Sequence, residues 1–198
     1  MLADIVSKRR LLAADYCPVP REFYLRDTVQ VAQSLLGCAL VRRRDSGEVI
    51  SAVITETEAY LADDPASHSF AGQTKRNRSM FLGGGTLYVY LIYGVHHCIN
   101  VVTGAQGVGE AVLIRSGVPI EGAEAMMQNR GTRDEKRLLS GPGNFARAFG
   151  FALEDDGSDL CSPNLFISKY LDIDQSKIFS SKRIGISKGK DLLYRYHI

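Results

Sequence analysis

Residues 86–102 hold the pattern that most constrains the fold, because two runs of β-favouring side chains flank a short reversal. The first run, 86–92, alternates tyrosine with aliphatic residues, and the second run, 97–102, contains three β-branched residues. Residues 93–96 between them include a glycine and are few enough to join antiparallel neighbours. The sequence therefore predicts a β-hairpin with Tyr93 at its tip.

The first arm of this hairpin has an aromatic face. A side-chain period of two places Tyr88 and Tyr90 together, opposite the leucine and valine residues of the same run. Cross-strand packing inside the core is an alternative role for these two rings, and the pattern leaves it open. Tyr93 differs from them, because a large exposed ring at a hairpin tip is costly unless it meets a partner.

Residues 49–60 predict a second strand, which is rich in β-branched residues and ends before Asp63-Asp64-Pro65. The period of two assigns four side chains to one face: Ile54, Glu56, Glu58 and Tyr60. A face that changes from apolar to acidic and aromatic is typical of a strand that leaves the core and enters a pocket. An edge strand with solvated glutamates is the alternative.

The remaining chain predicts an α+β fold with one domain. Its further elements are a strand at 110–116 and helices at 26–36, 121–129 and 144–149. With 198 residues and 45% hydrophobic content, the chain can bury a sizeable core. We expect a single domain over 21–198, built on a curved, mainly antiparallel sheet with flanking helices and the protruding hairpin, after an N-terminal tail at 1–20.

Composition limits the partners of this chain. A net charge of +2 is too small to steer the whole molecule toward nucleic acid, so DNA contacts would depend on local basic patches. These patches lie at 42–44, 75–78, 130–137 and 182–195. The four cysteines lack metal-ligand spacing and indicate reduced thiols in a cytoplasmic protein. The apolar run 11–14 is too short for a signal peptide or a membrane span, so we expect no membrane partner.

Five segments together resemble the alkyladenine DNA glycosylase family, also called the 3-methyladenine-DNA glycosylases. They occur in the family's order and are Thr55-Glu56-Thr57-Glu58-Ala59-Tyr60, Asp64-Pro65-Ala66-Ser67-His68, Arg76-Asn77-Arg78-Ser79-Met80-Phe81, the segment 85–94, and Gly141-Pro142-Gly143. The resemblance covers most of the chain from about Phe23 onward. It is to bacterial-type members of the family.

The resemblance implies a monofunctional enzyme that hydrolyses the bond between a damaged purine and deoxyribose. It assigns to Glu58 the carboxylate that takes a proton from water and stabilises an oxocarbenium-like transition state. Arg115 matches an arginine that meets the substrate backbone or holds the catalytic water, although an ion pair with Glu56 would satisfy it equally well. The matching segments contain no lysine to form a Schiff base, and we expect no cofactor and no metal.

The partner implied by the resemblance is double-stranded DNA that contains a damaged purine, which is flipped out of the duplex. Tyr93 would intercalate in its place. The base pocket would consist of Tyr60, His68, Tyr90, Asn100 and Leu113. The residues that contact DNA would be Arg76, Asn77, Arg78, Val95 and His96. The base would stack between Tyr60 and His68 on one side and Tyr90 on the other. Asn100 would reject the exocyclic amine of guanine.

Four damaged purines suit such an enzyme, without a ranking among them: 3-methyladenine, 7-methylguanine, hypoxanthine and ethenoadenine. We expect a monomer associated with the nucleoid in the cytoplasm. A damage-binding protein that flips lesions without cutting is the alternative, and Glu58 argues against it. Residues 138–144 also allow a helix-hairpin-helix loop of a lyase-type glycosylase, which the missing lysine disfavours. A zinc site at His96 and His97 is disfavoured, because adjacent strand residues point to opposite faces.

Overall fold

The structure is a computed structural model that describes residues 16–198. Within this range the chain forms eight strands, namely β1 (Ala39–Arg43), β2 (Val49–Tyr60), β3 (Leu87–Ile92), β4 (His96–Thr103), β5 (Glu110–Glu121), β6 (Leu165–Ser168), β7 (Phe179–Ser181) and β8 (Arg195–His197). Its α-helices over the same residues are α1 (Thr28–Ser34), α2 (Ala123–Arg130) and α3 (Pro142–Phe149).

The strands form one curved antiparallel sheet in the order β3-β4-β5-β2-β1-β6, and β8 pairs with both β2 and β7. The helices pack against the sheet to enclose the main core. Val31 of α1, Met126 of α2 and Phe145 of α3 join Ile54 and Ile114 of the sheet in that core. The predicted α+β fold on a curved, mainly antiparallel sheet is therefore confirmed.

The predicted hairpin is confirmed, since β3 pairs along its whole length with residues 96–101 of β4 and a short loop joins the two strands. Val95 N–H donates to the carbonyl of Ile92 at 3.3 Å and closes the turn. Tyr93 and Gly94 both have positive φ, of 53° and 70°, as in the type I′ turns that match the twist of paired strands. Tyr93 is not a glycine, so its left-handed backbone conformation costs about 1–2 kcal/mol.

Several predicted boundaries are wrong by a few residues. β5 continues to Glu121 and includes Pro119. Its last residues pair with β2 on one side only, so a residue without a backbone N–H is tolerated there. The helix expected from residue 121 therefore begins at Ala123. α3 begins at Pro142 instead of residue 144, since the first turn of a helix tolerates proline. α1 begins at Thr28 instead of residue 26 because Asp27 caps it, and it ends at Ser34 instead of residue 36.

The β2–β5 pairing has three irregularities, and the two bulges at Thr55 and Arg115 determine which side chains of these strands face away from the core. In the β2–β5 pairing, Thr55 and Arg115 each lack a partner residue on the opposite strand. Ile54 lies in the main core before the bulge, and Ala59 lies in that same core after it. The core-facing positions thus change from even to odd numbers along β2. The prediction that Ile54 shares a face with Glu58 is wrong, because a regular period of two does not cross the bulge.

Residues 1–15, and with them most of the predicted tail at 1–20, lie outside the described residues. The last residues of that tail pack on the domain. The Tyr16 hydroxyl donates to the Glu121 carboxylate at 2.8 Å, and Val19 N–H donates to the carbonyl of Ile167 at 2.8 Å. From residue 16 onward, no helix is long and apolar enough to cross a membrane.

Candidate active site

One row of side chains crosses four strands. Tyr88 of β3 pairs with Asn100 of β4, Asn100 pairs with Leu113 of β5, and Leu113 pairs with Glu58 of β2. Directly paired residues point to the same face of a sheet, so these four side chains lie on one side. A cavity of about 510 Å³ opens on this side of the row.

The cavity brings together residues that are distant in the sequence. Its walls include all the predicted base-pocket residues, namely Tyr60, His68, Tyr90, Asn100 and Leu113. Tyr93 and Arg115 also line it, so the predicted intercalating ring and the predicted catalytic arginine lie at one site. Glu58 does not form part of the cavity surface. It is 0% exposed and lies behind side chains that do.

The Glu58 carboxylate is held at both oxygens. The Tyr60 hydroxyl donates to Oε2 at 2.8 Å, and Ile184 N–H donates to Oε1 at 2.9 Å. Arg115 Nη1 lies 3.3 Å from Oε1. Burial, followed by the charge of Glu58, raises the pKa of Tyr60, so its hydroxyl stays a donor. Because all three partners line the cavity, Glu58 is one contact away from a molecule bound there.

Arg115 links the two carboxylates at the end of β2. Its Nε donates to Glu56 Oε1 at 2.9 Å, which is the ion pair that the sequence left open as an alternative. Burial opposes ionisation of Glu56, but hydrogen bonds from Arg195 and Ser116 and the charge of Arg115 lower its pKa overall. Glu56 is therefore an ionised anchor for Arg115, whereas Glu58 is the carboxylate nearer the cavity.

Aromatic side chains form one wall of the cavity. The His68 and Tyr90 rings meet edge to face, with centroids 4.6 Å apart at 76°, and His68 Nδ1 lies 2.9 Å from the Tyr88 hydroxyl. Burial and the charge of Arg76 lower the pKa of His68, which favours the neutral ring. A base between two parallel rings needs about 7 Å, twice a contact distance of about 3.5 Å. His68 and Tyr90 must therefore turn before a base can stack between them.

The hairpin tip is exposed. Tyr93 is 82% exposed and Val95 is 72% exposed, and His96 beside them also lies at the surface. Arg76 and Arg78 are exposed as well. Arg76 reaches the hairpin, since its Nη2 donates to a carbonyl of β3 at 2.9 Å. These five predicted DNA contacts are therefore accessible to a macromolecule.

Asn77 differs from its predicted role in DNA contact. The residue is only 2% exposed. Its Nδ2 donates to the carbonyls of His68 at 2.8 Å and Gly72 at 3.1 Å, while Oδ1 accepts from the N–H of Thr74 at 2.6 Å. Because its side chain is satisfied by these backbone groups, Asn77 supports the loop that carries His68 and is not available to DNA.

The loop 183–189 contributes to the site, although the sequence indicated only a basic patch there. Ile184 and Lys188 line the cavity, and the backbone of Ile184 reaches Glu58. Gly185 and Gly189, with φ of 78° and 58°, allow the loop to turn toward the sheet. The available signal was the pair of isoleucines inside a basic, glycine-containing stretch, since exposed apolar residues indicate a contact surface.

Comparisons with known proteins identify one family. The family model described as methylpurine-DNA glycosylase matches residues 22–198. A protein from Methanoculleus marisnigri is 46% identical over 184 residues, which cover 91% of this chain and 94% of the relative. A protein from Carboxydothermus hydrogenoformans is 45% identical over 181 residues, with the same coverage. A protein from Chlorobium phaeobacteroides is 46% identical over 178 residues, or 89% of each chain. All three carry the provisional name 3-methyladenine DNA glycosylase.

Proposed function

Since the chain belongs to the methylpurine-DNA glycosylase family, we propose that it is a monofunctional DNA glycosylase of base excision repair. Its substrates are alkylated or deaminated purines in double-stranded DNA: 3-methyladenine, 7-methylguanine, hypoxanthine and ethenoadenine. It hydrolyses the N-glycosidic bond and leaves an abasic site. The observation that carries this proposal is the Glu58 carboxylate, fully buried behind a cavity with aromatic walls.

Glu58 supplies the base of the reaction. Water attacks the anomeric carbon as the purine leaves, so a group must accept the proton of the water while positive charge develops on the sugar. An ionised carboxylate does both. Ile184 and Arg115 lie against Oε1, and Tyr60 donates to Oε2. Since a carboxylate has about four lone pairs, Oε2 keeps acceptor capacity for a water molecule.

The cavity selects which base is excised. Its volume of about 510 Å³ lies within the range of small-molecule sites, about 300–1,000 Å³. Electron-rich rings attract the positive charge of an alkylated purine, and a neutral His68 adds no opposing charge. The row of paired side chains that crosses the sheet underlies the cavity and forms its floor. Asn100 is held in this floor, since its Nδ2 donates to the carbonyl of Tyr88 at 3.2 Å. A fixed side chain there disfavours undamaged guanine, because the extra amino group has no matching acceptor. The positive charge of 7-methylguanine offsets this penalty through its attraction to the electron-rich rings.

Tyr93 supplies the wedge for base flipping. A duplex hides its glycosidic bonds, so the damaged nucleotide must leave the stack before Glu58 can act on it. An exposed ring at the tip of a hairpin fills the space that the base leaves and offsets part of the unstacking cost. Because Tyr93 also lines the cavity, the wedge and the pocket are close enough to act on one nucleotide.

A gel assay tests the proposed function. A duplex with one hypoxanthine is incubated with enzyme in excess EDTA and then analysed with and without alkali. We expect strand breaks only after alkali, since the product is an abasic site. Binding without alkali-labile sites would instead favour the damage-binding alternative. Breaks without alkali would favour a lyase, for which Lys188 on the cavity wall is the available amine.

The assay contains EDTA because the proposed reaction uses only water and a carboxylate. Among residues 16–198, no three His, Cys, Asp or Glu side chains are grouped so that they could hold a metal ion. Inactivation that zinc or magnesium reverses would contradict this part of the proposal. We further propose that the enzyme acts as a monomer in the cytoplasm. Its four cysteines support this location, since all are free thiols.

A further inference from the structure

Arg183 is a buried charged residue beside the cavity that the proposed reaction does not use. Its side chain is 0% exposed, and that of its partner Asp64 is 1% exposed. The guanidinium donates to both carboxylate oxygens of Asp64, with Nη2 3.0 Å from Oδ1. Nη1 also donates to the carbonyl of Ala59 at 2.9 Å. Arg183 is thus fixed to the end of β2 and to the turn that follows it.

Stability does not explain this ion pair. Removing two charges from water carries a large desolvation cost, and a well-packed apolar pair of similar volume is often as stable. Arg183 Nε is buried without an acceptor, which adds a further desolvation cost. The rings of Tyr60 and Tyr194, at 4.6 Å and 5.5 Å from the guanidinium carbon, offset part of this cost. A role in positioning accounts for the pair better than a role in stability.

Arg183 is next to both groups that hold the Glu58 carboxylate. The peptide after Arg183 carries the Ile184 N–H, which donates to Glu58 Oε1 at 2.9 Å. The guanidinium lies over the ring of Tyr60, whose hydroxyl donates to Glu58 Oε2 at 2.8 Å. A displacement of Arg183 would therefore move the donors at both oxygens together.

Asp64 connects the same arrangement to the aromatic wall. Its Oδ1 accepts from Ala66 N–H at 3.0 Å, and its carbonyl accepts from Ser67 N–H at 2.8 Å. The next residue in this turn is His68, which lines the cavity. The ion pair therefore joins three parts of the site: the end of β2, the turn before His68, and the loop 183–189.

We propose that Arg183, held by Asp64, is a positioning residue that fixes the Glu58 carboxylate through Tyr60 and Ile184. This inference rests on the proposed function, because it concerns the rate of base release. Arg183 touches neither DNA nor the leaving purine. Loss of Arg183 slows the chemical step, since a shift of about 1 Å in a catalytic group can cost about 10²-fold in rate. The same loss leaves the affinity for damaged DNA largely unchanged.

The first test compares Arg183→Met with a matched control, Arg42→Met. Arg42 forms a similar two-bond pair with Asp155, at 2.9 Å and 3.2 Å, and lies over the Phe151 ring at 4.6 Å. Neither Arg42 nor its partners line the cavity. We expect the single-turnover rate of hypoxanthine release to fall by about 10²-fold in Arg183→Met. The rate in Arg42→Met should remain within about threefold of wild type, although both variants lower the melting temperature.

A milder variant decides the matter if Arg183→Met does not fold. A Cβ at Gly189 would lie 2.9 Å from Asp64 Oδ1 and 3.0 Å from Arg183 Nη2, so Gly189→Ala pushes on the ion pair. Gly131→Ala is the control, because Gly131 has a similar φ of 66° and nothing within 4 Å of the added Cβ. Both variants carry similar backbone strain, because both glycines have a positive φ of similar size. We expect only Gly189→Ala to slow base release.

Affinity for a duplex with an abasic-site analogue separates positioning from general damage. A slower release with affinity within about threefold of wild type supports the inference. Equal rates in Arg183→Met and Arg42→Met would overturn the inference. If Arg183→Met does not fold, equal rates in the two glycine variants would overturn it. A rate loss that matches the loss of affinity would also overturn it. The wild-type enzyme is measured alongside. Absence of base release by the wild type would refute the proposed function itself and is therefore a distinguishable result.

Discussion

The floor of the cavity and the tip of the hairpin belong to one sheet but are held in opposite ways. In the floor, Glu58 lies behind the cavity surface and is 0% exposed, Asn100 lines the cavity and is 4% exposed, and hydrogen bonds fix both side chains. At the tip, Tyr93 and Val95 are 82% and 72% exposed. The floor is organised before a substrate arrives, whereas the tip gains its contacts only from a partner. Substitutions on the floor should therefore change rate or selectivity, and those at the tip should change affinity.

The largest effect is expected on the floor, from Glu58→Gln. The variant keeps the shape of the side chain but removes the negative charge and the capacity to accept a proton. We expect single-turnover release of hypoxanthine to fall by about 10²–10⁴-fold, the usual cost of losing a general base. Affinity for the lesion duplex, measured by fluorescence anisotropy, should stay close to that of wild type. Release near the wild-type rate would show that Glu58 is not the base.

The next effect is expected at the tip, from Tyr93→Ser. Stacking of one aromatic side chain on bases contributes about 1–3 kcal/mol, so affinity for damaged duplex should fall by about 5–150-fold. Cleavage of the same lesion in a single strand should change much less, because no stack has to be opened. Tyr93→Phe is the matched control and should retain affinity. Equal losses on duplex and single strand would mean that Tyr93 is only structural.

A smaller effect should appear on the floor in Asn100→Ser. If the carboxamide excludes guanine, the shorter side chain should raise release of undamaged guanine relative to hypoxanthine by up to about tenfold. The hydrogen bond from Asn100 to the carbonyl of Tyr88 allows a second outcome, in which the variant loses stability and all substrates suffer alike. The ratio of the two releases in one preparation distinguishes these outcomes. An unchanged ratio refutes the selectivity role.

The smallest effect concerns pH and His68. Its pKa is lowered by burial and by Arg76, so the ring is neutral at neutral pH and gains a proton only in acid. Protonation places a positive charge beside the base, which repels cationic 3-methyladenine but not neutral hypoxanthine. We expect the ratio of 3-methyladenine to hypoxanthine release to fall by a few fold as the pH drops below the ordinary histidine pKa of about 6.5. His68→Gln should lack that part of the change, and an identical pH profile in this variant would contradict the prediction.

Local patterns in the sequence predicted the elements that depend on local chemistry. The hairpin followed from β-favouring runs around a short turn, and the limits of β2 at Val49 and Tyr60 were predicted correctly. The family assignment from five short segments is confirmed as well. These features need no knowledge of which strands become neighbours. Positions that depend on pairing were harder, as the incorrect placement of Ile54 shows.

The candidate site shows the same difference between features that local sequence predicts and features that depend on the folded structure. Tyr60, His68 and Arg115 belong to motifs or strands that can be found along the chain, and the structure brings them to one cavity. Asn77 could not be placed, because only the folded loop shows that its amide is used by backbone groups. The contact of Ile184 with Glu58 joins residues 126 positions apart through a backbone N–H, which leaves no mark on residue type.

The two bulges in the β2–β5 pairing constrain how this part of the chain can change in length during evolution. Thr55 is an extra residue on β2 and Arg115 is an extra residue on β5, and neither has a partner on the opposite strand. Deleting either one would straighten its bulge and leave the pairs on both sides in register. Deleting a paired residue between the bulges and Glu58 would instead move Glu58 out of line with Leu113 and break the row across the sheet. A change in length is therefore compatible with the register at the unpaired positions and disruptive at the paired ones.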